Sequence, residues 1–309
     1  MKLSVVATLY QSASHIEEFR RRITAAAQLM AGDDYEIVLV NDGSPDDSLA
    51  RAIAISESDA HVVVVDLSRN FGHHRAMMTG LAYARGDVVF LIDSDLEEEP
   101  EWLALFARQM ADDKCDVVYG VQQERRGGFW ERWSGHLFYR LLRGLTGLPL
   151  PSNAITARLM SKRYVDALLR HTEREVFIDG LWHITGFDQR ASLITKRRLS
   201  GTTYTFSRKM AHLVNSVTSF SNAPLIGIFY LGVAVSTLAG GYTAFLVIQW
   251  LFYEKPLVGW TSVMASMWLL GGLVISFIGV VGIYLSKIFS ESKQRPLTIV
   301  RQVYGRHAD

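Results

Sequence analysis

Short apolar runs alternate with helical periodicities from Leu3 to about Val121. Leu3–Leu9 is a nearly unbroken apolar stretch and reads as a buried strand. Ser14-His15-Ile16-Glu17 has a capping-box pattern. Ile16, Phe19, Ile23 and Ala27 then recur at helical spacing, and Gly32 closes that helix. Glu36–Val40 is a second strand, turned out of by Asn41-Asp42-Gly43. Ser44-Pro45-Asp46-Asp47 is expected to cap the next helix, with proline at its first position. His61–Leu67 is a third strand. A helix from about His73 to Arg85 ends at Gly86, and Asp87–Ile92 is a fourth strand. A helix from about Glu101 to Ala111 and a strand over Asp116–Val121 follow. Strands alternating with helices in this way predict an α/β protein with a mostly parallel sheet.

The pattern changes after Gln122. Arg125, Arg126, Trp130, Arg132, Trp133, His136, Phe138, Tyr139, Arg140 and Arg143 mix cations with aromatic rings, as in a helix lying on a membrane surface, here near 128–146. Ser207–Asn222 is a second such amphipathic segment. Near Pro224 the composition shifts again. No charge occurs from there to about Phe252, nor from about Pro256 to Ser286, and each run exceeds the roughly 20 residues that cross a bilayer core. With only Glu254-Lys255-Pro256 between them, the two spans form an antiparallel hairpin. Arg197, Arg198, Arg208 and Lys209 precede the first span, and Lys287, Lys293, Arg295, Arg301 and Arg306 follow the second. Lys255 alone marks the connector, so both termini are expected in the cytoplasm. Trp250, Tyr253 and Trp260 suit the interface at the other end. The expected organisation is a cytoplasmic domain over 1–206, a juxtamembrane helix over 207–223, two transmembrane helices within 224–290, and a cytoplasmic tail over 291–309.

Composition narrows the picture. The 309 residues carry 32 Lys and Arg against 31 Asp and Glu, a net charge of +1 that gives no bulk attraction to nucleic acid. The single cysteine, Cys115, excludes an internal disulfide and lies among charges without a neighbouring base, so it reads as structural. Met1-Lys2 runs straight into the first strand, too short a lead for a secretory signal and without a small-residue cleavage pattern.

The densest chemistry lies in Asp93-Ser94-Asp95-Leu96-Glu97, at the carboxyl end of the fourth strand. Open α/β sheets bind ligands at this end. In an extended segment residues i and i+2 share a face, which would bring Asp93, Asp95 and Glu97 together. Such carboxylates repel unless a cation sits among them, and a hard divalent ion, Mg²⁺ or Mn²⁺, is the natural candidate. The plainer alternative is a solvated acidic loop. Asp42 precedes Gly43 at another strand end, where an Asp accepts hydrogen bonds from a nucleotide base or ribose, or simply makes a turn. Arg69, at the third strand–helix junction, suits a phosphate or a stacked base. His73 and His74 read as polar residues starting a helix rather than as metal ligands.

Leu67-Ser68-Arg69-Asn70-Phe71-Gly72-His73, Gly80-Leu81, Ala84-Arg85-Gly86-Asp87 and Asp93-Ser94-Asp95-Leu96 together resemble the family 2 glycosyltransferases of GT-A fold. More narrowly, they resemble the polyprenyl-phosphate sugar transferases, the group that includes dolichol-phosphate mannose synthase and bacterial bactoprenol glucosyltransferases. Ser219-Phe220-Ser221 before Pro224, Tyr284-Leu285-Ser286-Lys287 and Glu291-Ser292-Lys293-Gln294-Arg295-Pro296 resemble the two-span members, so the likeness covers nearly the whole chain.

The resemblance implies a Rossmann-like GT-A sheet with interfacial helices and a two-helix membrane hairpin. It implies metal-dependent, inverting transfer from a nucleotide sugar, by preference a UDP-sugar, to polyprenyl (undecaprenyl) phosphate. That reaction would take place at the cytoplasmic face of the bacterial inner membrane, among its lipids. Asp93 and Asp95 match the family D-x-D, and Glu97 stands where Gln is usual, as a further metal ligand. Thr8, Tyr10, Asp42, Arg69 and Asp93 fall at nucleotide-binding positions. Arg125 and Arg132 match arginines that hold phosphates near the membrane, Arg158 and Arg198 match further family arginines, and with Asp95 these four are the catalytic candidates that the resemblance implies. Four-subunit assembly is known among similar proteins.

The chain also departs from the family. Thr8 and Gln11 replace the Pro and Asn of the usual Pro-x-Tyr-Asn loop. Ala154-Ile155-Thr156-Ala157-Arg158-Leu159-Met160 has Thr156 where relatives often carry Asp. These departures leave open another lipid-linked acceptor, or a membrane scaffold that keeps the fold without catalysis.

Overall fold

A computed structural model describes residues 2–122, 153–174, 177–195, 217–218, 221–253 and 259–305. The chain divides into two units, one formed by 1–139, 148–205 and 295–309 and the other by 140–147 and 206–294. Arg125, Arg132 and Arg198, the expected surface helix near 128–146 and most of the juxtamembrane segment lie outside the described residues. So do the span connector and the side chains of Trp250, Tyr253 and Trp260.

The first unit is built on one eight-stranded sheet. In chain order its elements are β1 (Leu3–Leu9), α1 (Ile16–Ala31), β2 (Tyr35–Asn41), α2 (Ser48–Ser58), β3 (Val62–Leu67), α3 (His73–Tyr83) and β4 (Val88–Leu91). Next come α4 (Trp102–Asp113), β5 (Val117–Gln122), β6 (Ala154–Ser161), α5 (Lys162–Leu168), α6 (Ile178–Ile184) and β7 (Gln189–Ile194). The sheet order is β7-β5-β6-β4-β1-β2-β3-β8, where β8 is Val300–Tyr304. Strands β3, β2, β1 and β4 run parallel. β6 is antiparallel to β4 and β5, and β8 is antiparallel to β3. The sheet is therefore mixed, as the α/β expectation has it.

Strand alternation divides the core between two faces. Leu3, Val5, Ala7, Leu9, Ile37, Leu39, Val64 and Phe90 pack with Ile16, Phe19 and Ile23 of α1, Ile55 of α2, and Leu103 and Phe106 of α4. On the other face α3 comes close to β1 and β2. A Cβ on Gly80 would stand 2.5 Å from Val6 and 2.9 Å from Val40, so only glycine allows that approach. Covered on both faces, the central strands read as continuous apolar runs.

Several boundaries differ from expectation. The capping box does not form: His15 is the N-cap of α1 and makes no side-chain cap bond. Pro45 lies before α2, which starts at Ser48, because Asp46 takes the Ser48 N–H and holds the preceding residues in a turn. Beyond Ile92 the chain turns instead of continuing extended, so strand alternation does not set the directions of Asp93, Asp95 and Glu97.

The tail contributes a strand that periodicity did not reveal. Val300, Val303 and Tyr304 are good strand formers, and β3 would otherwise present an open edge. β8 closes it with a bulge at Asp66–Leu67. Buried Asp66 accepts from Asn41 Nδ2 at 2.8 Å and from Arg301 Nη1 at 3.2 Å, and Arg301 also donates to the Ser68 carbonyl.

The second unit contains two long apolar helices, α7 (Ala223–Tyr253) and α8 (Trp260–Ser292). Ala223–Tyr242 and Ser266–Ser292 have mean hydropathies of 1.7 and 2.2. Each is long and apolar enough to cross a bilayer, and none of either is buried within the protein. Phe229, Trp268 and Ile275 are among the large apolar side chains left exposed. Helices apolar on every side are found in protein cores or in membranes, and these two are not buried in a core.

Candidate active site

The predicted residues of the first unit collect at the carboxyl ends of the parallel strands. Thr8 is the penultimate residue of β1, Asp42 follows β2, Arg69 follows β3 and Asp93 follows β4. The chain runs from β1 outward to β3 and then returns to place β4 on the other side of β1. The sheet thus reverses direction between β1 and β4, where open α/β sheets form their crevice.

Asp42 is buried and faces the loop before α3. Its Oδ1 accepts from the Phe71 N–H at 2.7 Å and its Oδ2 from the Gly72 N–H at 3.0 Å. Burial raises its pKa above the ordinary carboxylate value. The two N–H bonds and the charges of His73 and Arg69 oppose that rise. Gly43 makes the contact of the two loops feasible. Its φ is +60°, and a Cβ there would lie 2.4 Å from main-chain atoms of Arg69 and Asn70. Arg69 is exposed, donates to the Asn70 carbonyl at 2.9 Å and stands 4.1 Å from the Phe71 ring centre. Tyr10 is half exposed, and the next residue, Gln11, has a φ of 55°.

Hydroxyls hold the loop after β1 where the family pattern has Pro and Asn. Gln11 N–H donates to Ser44 Oγ at 2.7 Å and Ser12 N–H to Ser48 Oγ at 2.8 Å. Asp46 accepts from both hydroxyls and from the Ala13 N–H.

In the acidic loop, Asp93 and Asp95 have different surroundings. Asp93 is mostly buried, and its Oδ1 meets His73 Nε2 at 3.2 Å. Asp95 is exposed, and its Oδ1 accepts from the Glu97 N–H at 2.9 Å. Leu96, between them and Glu97, has a φ of 61°, a left-handed conformation that costs energy for a branched side chain and marks a constrained loop. Ser94 Oγ donates to the Thr8 carbonyl at 2.7 Å.

Three residues that sequence reasoning left out of the site belong to it by geometry. His73, the first residue of α3, also contacts Thr8 Oγ1 through Nδ1 at 3.0 Å. Burial of the ring disfavours the imidazolium, but the hydrogen bond and charge of Asp93, with Asp42 and Asp95 behind it, raise the His73 pKa. Glu98 is fully buried. Its Oε2 accepts from the Asp93 N–H at 3.3 Å and its Oε1 from the Thr156 N–H at 3.1 Å. Trp182, on α6, lies against Arg158. The available signal was the position of His73 at the end of the Phe71-Gly72 motif; Glu98 and Trp182 gave none.

Arg158 sits on β6 opposite Leu91 of β4 and is buried. It donates to the Thr156 and Ile155 carbonyls and stacks on Trp182. Burial pulls its pKa down to about 10.

Among the described residues no group of three or more His, Cys, Asp or Glu side chains is gathered for a metal ion. Mg²⁺ is commonly held by one or two carboxylates together with substrate phosphates, so Asp93 and Asp95, as hard oxygen donors, fit that ion without a ready-made cage.

Comparison with known proteins identifies the class. Residues 4–169 match the family model for Glycosyl transferase family 2. A Mycobacterium tuberculosis protein described under glycosyltransferases is 49% identical over 305 residues, covering 99% of this chain and 89% of that protein. The undecaprenyl-phosphate 4-deoxy-4-formamido-L-arabinose transferase of an Enterobacter species is 30% identical over 99% of this chain and 94% of its own length. The crystal structure of S. aureus TarS 1-349 with UDP-GlcNAc aligns with a TM-score of 0.45 at 19% identity, over 72% of this chain and 68% of that one. The chain belongs to glycosyltransferase family 2 and is a glycosyltransferase.

Proposed function

We propose that this glycosyltransferase moves a sugar from a nucleotide diphosphate, by preference a UDP-sugar, to undecaprenyl phosphate, with inversion at the anomeric carbon. The observation that carries the reading is its end-to-end alignment with the Enterobacter undecaprenyl-phosphate transferase. The paired carboxylates at the switch point of the sheet are in keeping with it.

In this reading Thr8, Tyr10, Asp42 and Arg69 receive the nucleoside. Two of the roughly four acceptor sites of the Asp42 carboxylate are used by the Phe71 and Gly72 N–H groups, which leaves capacity for base or ribose. Asp93 and Asp95, with Glu97 beside them, would hold Mg²⁺ or Mn²⁺. That ion supplies positive charge against the diphosphate leaving group. The acceptor phosphate is already anionic near neutral pH, since its second pKa is about 6, so no strong general base is required. Alignment of the reactants and charge stabilisation then account for catalysis. Arg125, Arg132 and Arg198 are the candidates for the acceptor phosphate. Arg158 would act from within, stiffening the strand beside the acidic loop.

The chain is further read as a two-span protein of the bacterial cytoplasmic membrane, with catalytic domain and termini in the cytoplasm. β8 follows α8 yet joins the same sheet as β1, so any crossings between them must be even in number.

The test is a product assay. Purified full-length protein in detergent receives undecaprenyl phosphate, Mg²⁺ or Mn²⁺ and a panel of nucleotide sugars, and the lipids are read by mass spectrometry. A lipid-phosphate-sugar mass that is absent with Asp95→Asn is the expected result. Nucleotide binding without product from the whole panel would turn the reading to another lipid-linked acceptor or to a non-catalytic scaffold.

A further inference from the structure

We propose that His73 is a positioning residue that aims the Asp93 carboxylate for the donor diphosphate and its metal ion; the inference rests on the donor reading above. Three segments from both sides of the switch point meet at this ring: Thr8 on β1, His73 at the start of α3, and Asp93 after β4. Nδ1 lies 3.0 Å from Thr8 Oγ1, and Nε2 lies 3.2 Å from Asp93 Oδ1.

The direction of the Thr8 hydrogen bond and the polarity of the Asp93 contact follow from chemistry. An ionised carboxylate only accepts, so Nε2 carries the proton toward Asp93. In the neutral ring Nδ1 then accepts from the Thr8 hydroxyl. In the charged ring Nδ1 donates to it instead. Either way the Nε2–Oδ1 ion-pair contact with Asp93 is kept. Thr8 is 7% exposed, so its hydroxyl needs a protein partner, and the ring provides one. The carbonyl of the same Thr8 takes the Ser94 hydroxyl at 2.7 Å, so the end of β1 grips the acidic loop through two adjoining residues.

The His73–Asp93 pair is open to solvent on one side. Here the His73 side chain is 48% exposed and that of Asp93 is 21% exposed, at the end of the sheet where the ligand loops collect. Asp95, by contrast, is exposed and tied to the Glu97 N–H of its own loop. His73 therefore contacts the more buried carboxylate of the acidic pair. Partners that orient metal ligands typically change metal affinity about 10–100-fold when removed.

Two substitutions separate the ring's two contacts. His73→Gln places an N–H near the position of Nε2, whereas His73→Asn reaches only the position of Nδ1. Mn²⁺ binding to the detergent-solubilised full chain would be measured by the loss of the free-ion electron paramagnetic resonance signal, in the presence of UDP, GDP or dTDP. Thermal unfolding would be followed in parallel. His73→Asn should weaken Mn²⁺ binding about 10–100-fold with an unchanged melting temperature, and His73→Gln should restore most of it. Wild-type affinity in His73→Asn, or equal loss in both variants, would overturn the inference while leaving the donor reading intact. If the wild type itself retains no Mn²⁺ with any of the three diphosphates, the donor reading fails and takes this inference with it.

Discussion

The buried carboxylate of Glu98 accepts the main-chain N–H of Thr156 at 3.1 Å, and its other oxygen accepts that of Asp93 at 3.3 Å. One side chain thus joins the acidic loop to the strand that carries Arg158. It also gives a physical context for Thr156. An Asp at this position, as relatives often have, would place a second carboxylate beside a fully buried one. Thr156→Asp is expected to destabilise the protein by about 1–3 kcal/mol rather than raise activity. Glu98→Gln, which sets an amide N–H against a main-chain N–H, should cost a similar amount, about 1–3 kcal/mol. Thermal unfolding measures both. An unchanged melting temperature with higher turnover in Thr156→Asp would contradict this account.

The last strand should contribute measurably to the stability of the sheet. Asp66 is almost fully buried, with a side-chain exposure of 1%, and Arg301, half exposed, is one of its two cross-strand donors. Removing a partner from a buried carboxylate costs about 3–5 kcal/mol when the pair is sealed. With Asn41 still donating and Arg301 partly in water, Arg301→Ala should cost nearer 1–2 kcal/mol. Asp66→Asn in the same chain should recover part of the loss, a coupling that a double-mutant cycle detects. Strict additivity of the two changes would deny the pairing a role.

These two relationships also show where sequence reading stops. Central strands were legible because burial on both faces writes an unbroken apolar run, as in Leu3–Leu9 and Val62–Leu67. The long charge-free runs marked α7 and α8 for the same reason. Asp42, Arg69 and Asp93 were legible as strand-end residues, a position that follows from element order alone. The contacts that organise them were not. His73 meets a residue 65 positions away, Glu98 one 58 away, and Arg301 one 235 away. No local period encodes such pairings. β8 is a strand only because β3 offers it an edge, and the expected helix start at Pro45 gave way to the turn that Asp46 organises with Ser44 and Ser48.

Two glycines with the same φ should respond differently to alanine. Gly32 and Gly43 both have φ of +60°, but a Cβ on Gly32 meets nothing within 4 Å, whereas on Gly43 it meets main-chain atoms at 2.4 Å. Gly32 has a ψ of −124°, outside the left-handed helical well, so Gly32→Ala should cost backbone strain alone, about 1–3 kcal/mol. Gly43→Ala should cost at least about 3 kcal/mol, because neither main-chain loop can yield without shifting the Arg69–Gly72 segment. It should also weaken nucleotide binding, since that segment carries Arg69 and is held by Asp42. Comparable melting temperatures for the two variants would show that the loops are free to separate.

Acid should weaken the contacts that join the loops after β1 and β2. Asp46 is exposed, and the slight burial it has pushes its pKa up. The hydroxyls of Ser44 and Ser48 and the N–H groups of Ala13 and Ser48 outweigh this and lower the pKa to about 2 from 3.8. A carboxylate whose pKa is depressed on folding contributes stability that is complete above its unfolded value, and loses it as pH falls through the folded value. The contribution of Asp46 should therefore be intact above about pH 4 and decline between there and about pH 2. Solvent screening at this exposed site keeps it below about 1 kcal/mol. Asp46→Asn removes the titrating group, so its melting temperature should lie below wild type at pH 5 and converge on it near the acid end. Parallel curves for the two proteins across the same range would mean that the Ser44 and Ser48 bonds do not depend on the charge of Asp46.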